Sequence, residues 1–112
     1  MNWIALTNNQ QLEAIKANVE NEYIAIFKHS TRCGISRMVL KNFEREFDIP
    51  ESEITMYFLD LLKFREISNN IAGDFDVLHQ SPQLLLLKNG KVIFTASHGD
   101  ISVESLKFQL GK

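Results

Sequence analysis

Apolar residues recur along this chain at two spacings, and the switches between them mark out a run of alternating elements. Between Asn8 and Glu20, Leu12, Ile15 and Val19 share one face at helical spacing, which predicts an amphipathic helix. Tyr23 to Lys28 is short and largely apolar, and predicts a strand that ends where the small polar residues of HSTRCG begin. Beyond that junction Ile35, Met38, Val39, Phe43 and Phe47 return at spacings of three and four, so a second helix follows and is over by Pro50. ITMYFL, residues 54–59, is apolar on both alternating sets, as expected of a central strand covered on two faces. Ser68 is expected to cap a third helix that buries Ile71 and Phe75. LLLLKNGKVIFTA then places two apolar runs around Asn89-Gly90, a pair that tolerates the positive φ values of a type I′ turn, and predicts a hairpin. Past the HGD loop, Ser102 is expected to cap a last helix with Val103, Leu106 and Leu110 facing inward.

The predicted order is therefore α, β, α, β, α, β, β, α, and a mixed central sheet flanked by helices buries all of these faces at once. With 112 residues, 45% of them hydrophobic, the chain can fill one sizeable core, so residues 1–112 are expected to form a single domain. No apolar run is long enough to cross a bilayer, and MNWIALTNNQ lacks the basic start and apolar stretch of a secretion signal, which points to the cytoplasm. The net charge of −2 gives no overall attraction to nucleic acid or to an anionic membrane, so any binding patch must be local.

The one cysteine, Cys33, changes the picture most. It cannot form an internal disulfide, and three readings are open: a small buried hydrophobe, a metal ligand, or a reactive thiol. His29, His79 and His98 have no zinc-site spacing to it, so a protein-only metal site is not expected. Its polar neighbours and its place before a helix favour the thiol, because unpaired backbone N–H groups and the helix dipole favour the thiolate form. His29 and Arg32 could add positive potential, and Gly34 clears space for an incoming disulfide. Ser36 stands three residues on, where a two-cysteine redox enzyme keeps its resolving thiol; serine can hydrogen-bond to sulfur but cannot form a disulfide, so a one-cysteine mechanism follows.

Other loops converge on the same end of the predicted sheet. In Ser81-Pro82-Gln83 a cis proline bond would turn the Ser81 N–H and C=O outward to hold an extended thiol or peptide, while a plain trans turn is the commoner arrangement. Gly99-Asp100, before the last helix, offers close backbone approach and a carboxylate, or is simply a surface loop. Lys28, Arg32, Arg37 and Arg65 are candidate anion contacts, against the ordinary alternative of charges facing water.

Taken together, FKHSTRCGIS, LDLLKFREISNNIAGDF, HQSPQLLLLKNGKV and ASHGDIS resemble the YtxJ-like monothiol bacilliredoxin family over almost the whole chain. The resemblance implies a thioredoxin-like three-layer α/β/α sandwich. It implies that Cys33 is the reactive cysteine, Ser36 the residue replacing a resolving thiol, and Ser81-Pro82-Gln83 the loop carrying the fold's cis-proline. It also places Arg65 and Ser68 in the family's Arg-Glu-x-Ser stretch, and His98, Gly99 and Asp100 in its loop before the final helix. The implied activity is removal of a low-molecular-weight thiol, bacillithiol, from mixed disulfides on proteins, with the small thiol as co-substrate. Its malate carboxylates would meet Lys28, Arg32 or Arg65. Members commonly carry Cys-Pro-Ile-Ser, and Gly34 makes this site Cys-Gly-Ile-Ser, closer to the Cys-Gly-Phe-Ser of monothiol glutaredoxins. That likeness implies the alternative of a [2Fe-2S] cluster shared with an external thiol across a dimer; a third reading is a stress-associated binding protein that keeps the fold without redox turnover. The exchange reading expects a monomer whose partners are proteins carrying mixed disulfides.

Overall fold

A computed structural model describes all residues from Met1 to Lys112. Five strands, β1 (Trp3–Ala5), β2 (Tyr23–His29), β3 (Thr55–Asp60), β4 (Gln83–Lys88) and β5 (Lys91–Ser97), form one sheet in the order β1-β3-β2-β4-β5. β3 runs parallel to both β1 and β2, whereas β4 is antiparallel to β2 and β5. Four helices, α1 (Asn9–Ala17), α2 (Gly34–Glu46), α3 (Arg65–Asp74) and α4 (Val103–Gln109), cover it, with a short 3₁₀ turn at His98–Asp100 ahead of α4.

Side-chain alternation along the central strands explains the layering. Ala25, Phe27, Leu84 and Leu86 face one side and pack with Val39 and Phe43 of α2 and with Val103 and Leu106 of α4. Ile24, Ile26, Leu85 and Leu87 face the other side and pack with Leu12 and Ile15 of α1 and with Ile67 and Ile71 of α3. The result is the three-layer α/β/α sandwich with a mixed sheet expected from the sequence.

Two of the local expectations hold in detail. Ser102 Oγ accepts the Ser105 N–H at 3.0 Å, capping α4. The β4–β5 hairpin turns through Asn89 and Gly90, both at positive φ. Gly90 is required twice over, since a Cβ there would also run into the backbone carbonyl of Lys16.

Other expectations need correction. The chain begins with a strand, β1, which the sequence pattern did not announce: three residues paired to β3 at the sheet edge carry no periodicity of their own. α1 ends at the Asn18 cap, whose N–H bonds to Ile15 O, so Val19 lies beyond it and is 75% exposed. Ser68 is not a cap, because α3 starts earlier at Arg65 and carries Ser68 on its buried side. Ile35 and Met38 share the spacing of the buried stripe yet are 53% and 58% exposed; Ser36, Val39 and Phe43 are the buried residues of α2. No helix is long and apolar enough to cross a membrane.

Candidate functional site

The site grows from the end of β2. Its last residue, His29, lies beside Asp60 at the end of β3, and the chain then makes a tight turn through Ser30, Thr31 and Arg32 into α2. Cys33 occupies the N-cap position, its N–H donating to Ser30 O at 3.3 Å and its carbonyl accepting the Arg37 N–H at 3.1 Å. The side chain makes no capping hydrogen bond, so the half-buried thiol is free of the helix it introduces.

Two residues of the first helical turns hold this loop. Ser36 is wholly buried, and its Oγ accepts the Ser30 N–H at 3.1 Å while bonding to His29 Nδ1 at 2.8 Å. It therefore engages the turn that presents Cys33, not the sulfur itself as its spacing had suggested. From outside, Arg37 Nη1 donates to Thr31 O at 3.0 Å. His29 is buried against Phe58, and burial holds its pKa below the ordinary histidine value, with Arg37 lowering it further and Asp60 and Glu44 opposing. It is thus neutral near pH 7 and adds no positive charge beside the thiol, another departure from the sequence reading.

The proline loop arrives from β4. The Ser81–Pro82 bond is cis. Gln83 pairs with Lys28 as the last register of the two strands, so Ser81 and Pro82 lie just beyond the end of the ladder where β2 runs on into the cysteine turn. Pro82 O accepts the His98 N–H at 3.1 Å, which ties the 3₁₀ turn to the loop, and that turn packs on α2. The C-terminal end of β2, the start of β4, His98–Asp100 and the start of α2 therefore meet at one edge of the sheet. Gly99 and Asp100 are exposed there. Asp100 also lines an open cleft of about 560 Å³ with Gln80, Gln83, Phe94, Ser97 and Ser105.

The remaining candidates separate. Arg32 is exposed in the turn next to Cys33, and Arg65 is exposed at the start of α3. Gly34 is exposed, and a Cβ built on it meets nothing nearer than Arg37 Nη2 at 3.8 Å, so packing does not demand glycine; a proline at this first helical position would also suit the helix. Lys28 is the clear correction. It is 0% exposed and bonds through Nζ to His79 Nδ1 at 2.8 Å, so it is closed off from a ligand's carboxylates. Burial pushes its ammonium down to about 8. His79 was not singled out by sequence reasoning; a lysine inside the apolar strand YIAIFKH was the signal that some polar partner had to cover it.

The model of the family described as monothiol bacilliredoxin BrxC matches residues 4–106. The chain belongs to that family. A solved structure described as a candidate oxidoreductase with a thioredoxin fold is 33% identical, with a TM-score of 0.80 over 98% of this chain and 94% of the other. Thioredoxin from Malassezia sympodialis is 19% identical with a TM-score of 0.73, covering 96% of this chain and 86% of its own. The Schistosoma mansoni thioredoxin pre-protein is 16% identical with a TM-score of 0.69, covering 99% and 97%. At those lower identities the likeness is one of fold. For this bacilliredoxin, family and fold together support the role of a thiol–disulfide oxidoreductase acting with a thiol co-substrate. No three His, Cys, Asp or Glu side chains gather into a metal-binding group.

Proposed function

We propose that this bacilliredoxin removes bacillithiol from mixed disulfides on cytoplasmic proteins through Cys33. The observation that carries the reading is a single free thiol at the start of α2, with the position three residues on filled by a buried serine already committed to His29 and Ser30. Cys33 thiolate attacks the bacillithiol sulfur of the mixed disulfide. A Cys33–bacillithiol disulfide forms, the protein thiolate leaves and takes a proton from water, and no internal thiol competes for the intermediate. A second bacillithiol then attacks the bound one, which returns Cys33 and releases bacillithiol disulfide.

Each surrounding group has a place in this scheme. Ile35 and Met38 offer apolar contact to the client protein beside the sulfur. Pro82 has its carbonyl occupied by His98, which leaves the Ser81 backbone groups for an extended chain next to the disulfide. Asp100 presents an acceptor in the cleft for the hydroxyls or amino group of the small thiol, while Arg32 and Arg65 are the exposed cations for its carboxylates. Gly34 leaves the approach to the sulfur open. Ser36 acts as a positioning residue, fixing the turn from within.

The test is a model protein loaded in turn with bacillithiol and with glutathione, with release followed by mass. Bacillithiol should leave faster by roughly tenfold, the worth of one charge-assisted hydrogen bond. Equal rates, or faster release of glutathione, would move the assignment to the glutaredoxin side of the Cys-Gly-Ile-Ser resemblance.

A further inference from the structure

Lys28 is expensive for the fold. It places an ammonium in the interior with no carboxylate beside it, where an apolar side chain of similar length would be at least as stable. What it holds gives it a use. Lys28 and Gln83 are register partners on neighbouring strands, and their side chains point to the same face of the sheet, the one covered by α3. Both reach the segment that leads into the proline loop: Lys28 Nζ bonds to His79 Nδ1 at 2.8 Å, and Gln83 Nε2 donates to Leu78 O at 3.1 Å. Two buried side chains thus grip two successive residues, Leu78 and His79, just before Ser81–Pro82.

We propose that Lys28 and Gln83 are positioning residues that fix the Ser81–Pro82 loop against the thiol through Leu78 and His79, and that disulfide exchange requires His79 to be neutral. This rests on the exchange reading of Cys33. Neutral His79 accepts the Lys28 N–H at Nδ1 and keeps its own proton on Nε2. Once protonated, it carries N–H at both positions, so the ammonium and the imidazolium face each other with no acceptor between them. His79 is exposed as a whole, but desolvation at its contact with Lys28, followed by the charges of Lys28 from β2 and Arg65 from α3, holds its pKa below the ordinary histidine value. The grip is therefore present near neutral pH and fails as pH falls below the usual histidine range. It survives deprotonation of Lys28, because an amine can still donate to Nδ1 or accept from it.

The experiment uses the full chain and two readouts: exchange on a protein mixed disulfide, and the backbone amide signals of Ser81 and Gln83 by NMR. Each is followed from about pH 8 to about pH 5, a range that spans histidine titration. His79→Ala and Lys28→Met should shift both amide signals and lower kcat/KM by roughly 10- to 100-fold, the usual consequence of a misplaced binding element. Alkylation of Cys33 by iodoacetamide should be unchanged, since that reagent needs no proline loop. His79→Asn keeps an acceptor near the Nδ1 position that does not titrate, and should restore most of the rate. It should also remove the acid step that belongs to His79 from the rate profile. Unchanged exchange in His79→Ala, or an acid profile in His79→Asn identical to that of wild type, would overturn the proposal. If wild type shows no exchange while the variants still move the amide signals, the exchange reading fails and the grip on the loop stands.

Discussion

Cys33→Ser is expected to abolish release of a small thiol from a protein mixed disulfide, reducing it to the uncatalysed background, while leaving the fold slightly more stable. The two effects have opposite signs for separate reasons. An alcohol at this position has no thiolate to offer, so no intermediate forms with the incoming sulfur. Cys33 is also the N-cap residue of α2 with no side-chain cap bond, whereas serine is a preferred cap and can accept a first-turn N–H. A gain of up to about 1 kcal/mol is expected from that new bond. Urea unfolding alongside the exchange assay checks both parts, and a variant that loses activity through loss of structure would remove the value of the first result.

Phe43→Ala should produce the largest loss of stability, about 3–5 kcal/mol, out of the 5–15 kcal/mol that holds a typical domain together. Phe43 is buried on α2 and packs against Trp3 at 6.1 Å, Phe27 at 5.7 Å and Phe47 at 5.8 Å between ring centroids. This cluster joins β1, β2 and α2, and it is what seats the helix whose first turn carries Cys33. The midpoint of urea unfolding is the measurement. A loss near 1 kcal/mol would mean that neighbouring rings close the cavity and that α2 is seated mainly by Val39 and the loop bonds.

Much of the fold was legible because strong local patterns agreed with the tertiary answer. The Asn89-Gly90 turn, the Ser102 cap and the apolar runs of β2, β3 and β4 each carry a local physical reason that the packing then uses. Where reading failed, the deciding contact was distant or functional. β1 is defined by pairing Trp3, Ile4 and Ala5 with Met56, Tyr57 and Phe58 across the chain. Ile35 and Met38 obey helical spacing and still stand in solvent, each one position off the stripe of Ser36, Val39 and Phe43 that α2 buries. Spacing reports which residues share a face, and says nothing about where the covering layer stops.

The site divides in the same way. Cys33, Pro82, Gln83 and Asp100 could be picked out from loop chemistry, and the fold brings their elements to one edge. What Ser36 and Lys28 contact could not be, since both are fixed by partners that only the folded chain supplies: the inner side of the cysteine turn for Ser36, and a loop histidine for Lys28. A buried polar residue in a sequence announces that a partner exists without naming it.

Everything proposed for this site requires the small thiol to pass through Cys33. That passage is tested most directly by mixing the reduced protein with one equivalent of a bacillithiol-loaded client, quenching with acid, and mapping the adduct by peptide mass. Bacillithiol is expected on the Cys33 peptide, with reduced client in equal amount and loss of the adduct when free bacillithiol is added. Client protein itself trapped on Cys33, or client reduced with no adduct on Cys33 at any time, would contradict that route.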